Sequence, residues 1–68
     1  MTVLKQLRRY REEQALTQRQ LSQKSGVTQA TIVHAEKGGD TRPTTVRKLA
    51  DALGIEPRTL IGMTDGND

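Results

Sequence analysis

The chain has 68 residues, enough for one small domain and too few for a second, since domains rarely run below about 50 residues. Its large aliphatics are seven Leu, four Val and three Ile, joined by five Ala, two Met and one Tyr with no Phe or Trp, so any core is thin and aliphatic. No cysteine is present, which excludes a disulfide framework, a thiolate zinc site and a cysteine nucleophile, and leaves helix packing and capping to hold the fold.

The formal charge of +3 is unevenly spread: residues 1–24 carry six Lys/Arg against two Glu, whereas residues 43–68 carry three against four acids. Such polarity is compatible with a nucleic-acid partner without demanding one. No apolar run approaches the roughly 20 residues of a membrane span, and Met1-Thr2-Val3-Leu4-Lys5 lacks a signal-peptide core, so the expected location is cytoplasmic.

Leu4, Leu7 and Arg11 share one helical stripe, with Val3, Tyr10 and Gln14 beside it, and Thr2 stands where a cap would. This predicts a first helix over residues 3–13, whose Lys5, Arg8, Arg9, Glu12 and Glu13 form a solvated outer face. Next, Thr17 as N-cap and Gln20 three residues on make a capping box, while Leu16 and Leu21 occupy the two positions of a hydrophobic staple. The second helix stops near Ser25, where Gly26 can turn left-handed and Val27 can pack back. Val27 and Ile32 form another staple around Thr28, which starts a third helix over about 28–37 that ends at Lys37-Gly38-Gly39.

Two short helices, each with its own cap and joined by little more than Ser25-Gly26-Val27, read as a helix-turn-helix, whose turn is three or four residues and often contains Gly. Gly38 to Pro43 reads as a loop. A fourth helix follows from Pro43 or Thr44 to Leu53, with Val46, Leu49, Ala50 and Leu53 inward and Gly54-Ile55 as its stop. A fifth covers 57–61, with Pro57 in its first turn and Leu60 and Ile61 as anchors. The fold class expected is all-α, a compact five-helix domain over residues 1–63, with a disordered tail over 64–68.

The unit from Leu16 to Gly38 resembles the DNA-binding domains of the lambdoid phage repressor and Cro family, the XRE type of helix-turn-helix. The matching residues are Leu16-Thr17-Gln18-x-x-Leu21, Ser25-Gly26-Val27, Thr31-Ile32 and Glu36-x-Gly38, then Arg42-Pro43 and Leu49-Ala50-x-Ala52-Leu53-Gly54-Ile55. They span about residues 3–61 and combine core, caps and the turn glycine in one spacing. Two positions depart from the family pattern: Ala35 is small where a bulky apolar residue is usual, and Asp40 is acidic in a loop usually rich in cations.

The resemblance implies a lambda-repressor-like transcriptional regulator of double-stranded DNA, read as a repressor, whose third helix enters the major groove. Carried over by position, Gln29, Ala30, Val33 and His34 face base edges. Gln29 has the amide that can pair in bidentate fashion with adenine, and Ala30 and Val33 can meet a thymine methyl. Thr17, Gln18, Arg19, Thr28, Lys37, Arg42 and Thr44 fall on the phosphate-contacting positions, and Gln18 is expected to steady Gln29. Arg11 and Glu36 are implied as an ion pair between the first and third helices.

Family members bind a palindromic operator as homodimers, which nominates Leu60, Ile61 and Met63 for the dimer contact, although Leu60 can equally close the domain's own core. The competing reading is a protein-interaction module, such as an antitoxin or a regulator's partner subunit, with DNA contact secondary. An enzyme is not expected, because one His and scattered carboxylates supply no paired acid and base. His34 lacks companions at zinc spacing, so neither a metal nor a cofactor is expected.

Overall fold

The computed structural model describes residues 2–62; Met63 and the 64–68 tail lie outside the described residues. A two-residue strand β1 (Thr2–Val3) precedes α1 (Leu7–Glu13), α2 (Gln18–Ser25) and α3 (Gln29–Glu36). A second short strand β2 (Asp40–Thr41) leads into α4 (Pro43–Leu53) and α5 (Pro57–Ile61). The architecture is thus five helices with a minimal antiparallel sheet.

Local chemistry accounts for the helix-turn-helix. The Thr17 hydroxyl accepts from the Gln20 N–H at 3.0 Å while the Gln20 side-chain oxygen accepts from the Thr17 N–H at 2.8 Å, completing the capping box. Gly26 ends α2 at φ 77°, a left-handed conformation that costs a residue bearing Cβ about 1–2 kcal/mol. Thr28 then caps α3 by accepting from the Thr31 N–H. The staple residues Leu21, Val27 and Ile32 are all buried, so each helix start is tied to the core as well as capped.

Leu7, Leu21, Ile32, Leu49 and Leu60 are the largest fully buried side chains, drawn from five different helices. Burying each contributes about 1.5–3 kcal/mol. Val46, Leu49, Ala50 and Leu53 form the buried stripe of α4, the longest helix, and α2 packs against both α3 and α4. Ile55 packs back on the core beyond Gly54, as its spacing requires.

The N-terminal segment departs from its expected form. Helix 1 begins at Leu7, not at residue 3, and Thr2 caps nothing: its N-cap is Gln6, with no side-chain cap bond. Thr2 and Val3 instead pair with Thr41 and Asp40 in the small sheet. Two β-branched residues at a free helix end lose little helical stability, and a partner strand satisfies their backbone groups. Leu4 keeps its inward place at 2% exposure.

The exit of α1 has an unusual residue. Leu16 N–H donates to the Arg11 carbonyl and Ala15 N–H to that of Glu12, a Schellman closure that places Ala15 at φ 57°. Glycine is usual there. This turn delivers Leu16 and Thr17 to the start of α2.

Candidate nucleic-acid interface

The outer side of α3 begins at its capped N-terminus. Gln29 and Ala30 are exposed in the first turn, His34 is exposed one turn on, and Val33 is half-buried between them and the core. Ile32 and Ala35 take the inward face at 0% and 1% exposure. The helix carries no acidic residue in its first turn, so its positive dipole end is left for an outside anion.

Two open clefts flank this ridge. Ala30, Thr31 and His34 line the first, of about 460 Å³, together with Asp40, Thr41, Arg42 and Thr45. Val33 and Lys37 line the second, of about 370 Å³, with Arg8, Arg11, Gln18 and Glu36. The structure therefore brings Ala30, His34 and Arg42 together on one side, and Gln18, Val33 and Lys37 on the other. Gln29, Thr17, Arg19 and Thr44 are on neither wall; Thr17 and Arg19 are exposed at the start of α2, and Thr44 in the first turn of α4.

Arg42 is the N-cap residue of α4 and supplies no side-chain acceptor, with Pro43 following in the first turn. The early amides of α4 are thus unanswered by a side-chain cap, and an anion or water must serve them. Thr45, half-buried in that turn, and Thr31 join the wall although sequence reading passed them over. For Thr45 the signal is the Thr44-Thr45 pair beside the uncapped start of α4, whereas Thr31 is three residues from the Thr28 cap of α3. His34 lies over the loop: a Cβ placed on Gly39 would fall within 2.5 Å of three imidazole atoms, so the ring occupies the space that Gly39 leaves open.

On the wall of the second cleft, Arg11 meets Glu36 with Nε to Oε2 at 2.6 Å and Nη2 to Oε1 at 3.2 Å. Their side chains are 12% and 6% exposed, and a third donor of Arg11, Nη1, reaches the Leu16 carbonyl at 2.7 Å. Hydrogen bonding to Glu36 raises the Arg11 guanidinium above its ordinary pKa, the desolvation from burial acting in opposition. Glu36 Oε1 also accepts from Gln18 Nε2 at 3.0 Å. Gln18 is therefore bound to Glu36 in the free chain, where the resemblance leads one to expect it beside Gln29.

The basic excess of the first half is partly consumed on α1 itself. Arg8 pairs with Glu12 and Arg9 with Glu13 across one turn, both exposed and each worth about 0.3–0.5 kcal/mol. Arg19, Lys37 and Arg42 make no ion pair among the described residues. Lys5, Lys24, Arg47, Lys48 and Arg58 are likewise outside the ion pairs, so the free cations spread from the N-terminal segment to α5.

Two capped helices joined through the left-handed Gly26, with an acid-free exposed start to the second, are features of a helix-turn-helix. The pattern of the family described as Helix-turn-helix matches residues 7–60. The chain belongs to this family. Among curated proteins it is similar to the HTH-type transcriptional repressor RghR of Bacillus subtilis (strain 168), at 50% identity over 52 residues. That stretch is 74% of this chain and 38% of the relative, so the helix-turn-helix unit spans well under half of the length of that protein. No solved structure matches the chain. Among the described residues, no group of three His, Cys, Asp or Glu could hold a metal ion, and no helix is long and apolar enough to cross a membrane.

Proposed function

We propose that this helix-turn-helix chain is a sequence-specific binder of double-stranded DNA that acts as a transcriptional repressor, with α3 lying in the major groove. The observation that carries the reading is the outer side of α3: a capped, exposed N-terminal turn free of acids, flanked by clefts whose rims carry Arg42 and Lys37. Gln29 reads an adenine edge through its amide, while Ala30, Val33 and His34 meet neighbouring bases. Thr17, Arg19, Thr28, Lys37, Arg42 and Thr44 hold the phosphates on either side and set the register. The family membership and the repressor name of the Bacillus relative support this assignment.

One copy offers only a few base contacts, so high affinity calls for two copies on a two-fold site spaced by about one helical turn. Ile61, half-buried on α5, lines an open, mostly apolar groove with Val46, Pro43, Pro57, Thr2 and Arg47 that suits such a contact. Leu60 is fully buried and belongs to the core instead. Selection of bound sequences from a random double-stranded pool tests the reading. Enrichment of a palindrome is expected, and recovery of no sequence above background at low salt would overturn it.

A further inference from the structure

Glu36 sits at the last residue of α3, where the helix dipole disfavours an acid. Its carboxylate is nevertheless almost fully buried, with the side chain 6% exposed. A carboxylate has about four acceptor positions, and three are filled here: Oε2 by Arg11 Nε, and Oε1 by Arg11 Nη2 and Gln18 Nε2. The donor assignment on Gln18 follows from chemistry, since an ionised carboxylate only accepts. The three donors come from two elements, α1 and the first residue of α2. One carboxylate thus joins the start of α2, the end of α1 and the end of α3.

Resting on the DNA-reading role proposed above, we infer that Gln18 is a positioning residue for the reading helix, acting through Glu36. The contact from Arg11 Nη2 to Oε1 is the longer of the two Arg11 bonds, at 3.2 Å against 2.6 Å, so Oε1 depends on Gln18 for its shorter hydrogen bond. Without that donor a buried oxygen is left with one long bond, and the cheapest relief is for the last turn of α3 to move toward water. Such a movement changes the angle at which Gln29 and Val33 approach the bases. Glutamine is uncharged, so its loss leaves the salt dependence of binding as it was.

The test uses the full chain with Gln18→Ala, Gln18→Glu, Glu36→Gln and the exchange Gln18→Glu/Glu36→Gln. Stability in urea is read first, because it does not involve DNA. Gln18→Ala is expected to lower the midpoint by about 1 M. Gln18→Glu should lower it further by setting two carboxylates together, and the exchange should recover much of that loss because one amide and one carboxylate face each other again.

Binding is then read on the selected duplex and on random duplex over a salt series, at a urea-free temperature where every variant is folded. Gln18→Ala should reduce the preference for the selected duplex roughly tenfold with the slope of log K against log salt unchanged. An equal loss of affinity on the selected and the random duplex with stability unaltered, or an exchange variant no better than the sum of its parts, would overturn the assignment. If wild type shows no preference for any duplex, the DNA-reading role itself fails, while the urea result still decides whether Gln18 secures α3 through Glu36.

Discussion

Breaking the Arg11–Glu36 bridge from either side gives a sharp prediction about what places α3. Arg11→Met keeps most of the side-chain length but deletes the two bonds to Glu36 and the 2.7 Å bond to the Leu16 carbonyl, leaving a carboxylate of 6% exposure with Gln18 alone. Glu36→Gln keeps the volume and leaves a guanidinium of 12% exposure without its counter-charge. Removing one partner costs about 3–5 kcal/mol in a fully buried pair and about 0–1 in an exposed one, and this part-buried pair lies between them. A domain of this size has about 3–10 kcal/mol in total, so each single change is expected to consume a large part of it. The double variant leaves no unpaired charge, and its loss should fall short of the sum by about 1–3 kcal/mol.

The assay is urea unfolding followed by circular dichroism on wild type, both single variants and the double variant, with one fixed concentration of a stabilising osmolyte to keep all four folded at the start. Arg11 has a raised pKa in the folded state, so its contribution is fully present below the ordinary arginine value and is lost only as pH rises through the higher folded one. That window lies above working pH, so alkali up to about pH 9 should leave the arginine side of the coupling intact. A coupling energy indistinguishable from zero would refute the reasoning and make both residues ordinary solvated charges.

Gln29→Ala is expected to weaken binding to the preferred duplex by about 1–3 kcal/mol and to relax preference at one base pair; an unchanged preference on a base-substitution panel would exclude Gln29 as a reader. Arg42→Ala should weaken binding to all sequences alike and lower the salt slope by about one unit per bound subunit, with circular dichroism unaltered. For Ala15→Gly, relief of the left-handed conformation at φ 57° opposes the greater freedom of glycine in the unfolded chain. The expected balance is a stabilisation of up to about 1 kcal/mol by urea unfolding, and a clear loss of stability would show that Ala15 is held there by its methyl contacts.

What could be read along the chain was what local chemistry decides. The starts of α2 and α3 lie within four residues of the groups that cap them, and the stops at Gly26 and Gly54 depend on a backbone angle that glycine adopts without a Cβ penalty. The helix-turn-helix follows from those signals, and with it the outward position of Gln29, Ala30 and His34. The N-terminal strand did not show itself, because Thr2 stands as a cap and Val3 beside the Leu4-Leu7 stripe until Asp40 and Thr41, nearly 40 residues later, offer a pairing edge. Ala15 was hidden likewise, since the turn there is closed by backbone bonds that the residue type does not announce.

The side-chain destinations on the site were decided in three dimensions. Gln18 looks like any helix-surface glutamine until α3 brings the Glu36 carboxylate to 3.0 Å from its amide, and the His34 ring finds its seat only where the loop leaves Gly39 without a side chain. Capping and glycine stops are short-range and separable, so a sequence carries them openly. A shared carboxylate or a seated ring depends on segments far apart in the chain arriving together, and only the packed core brings them there.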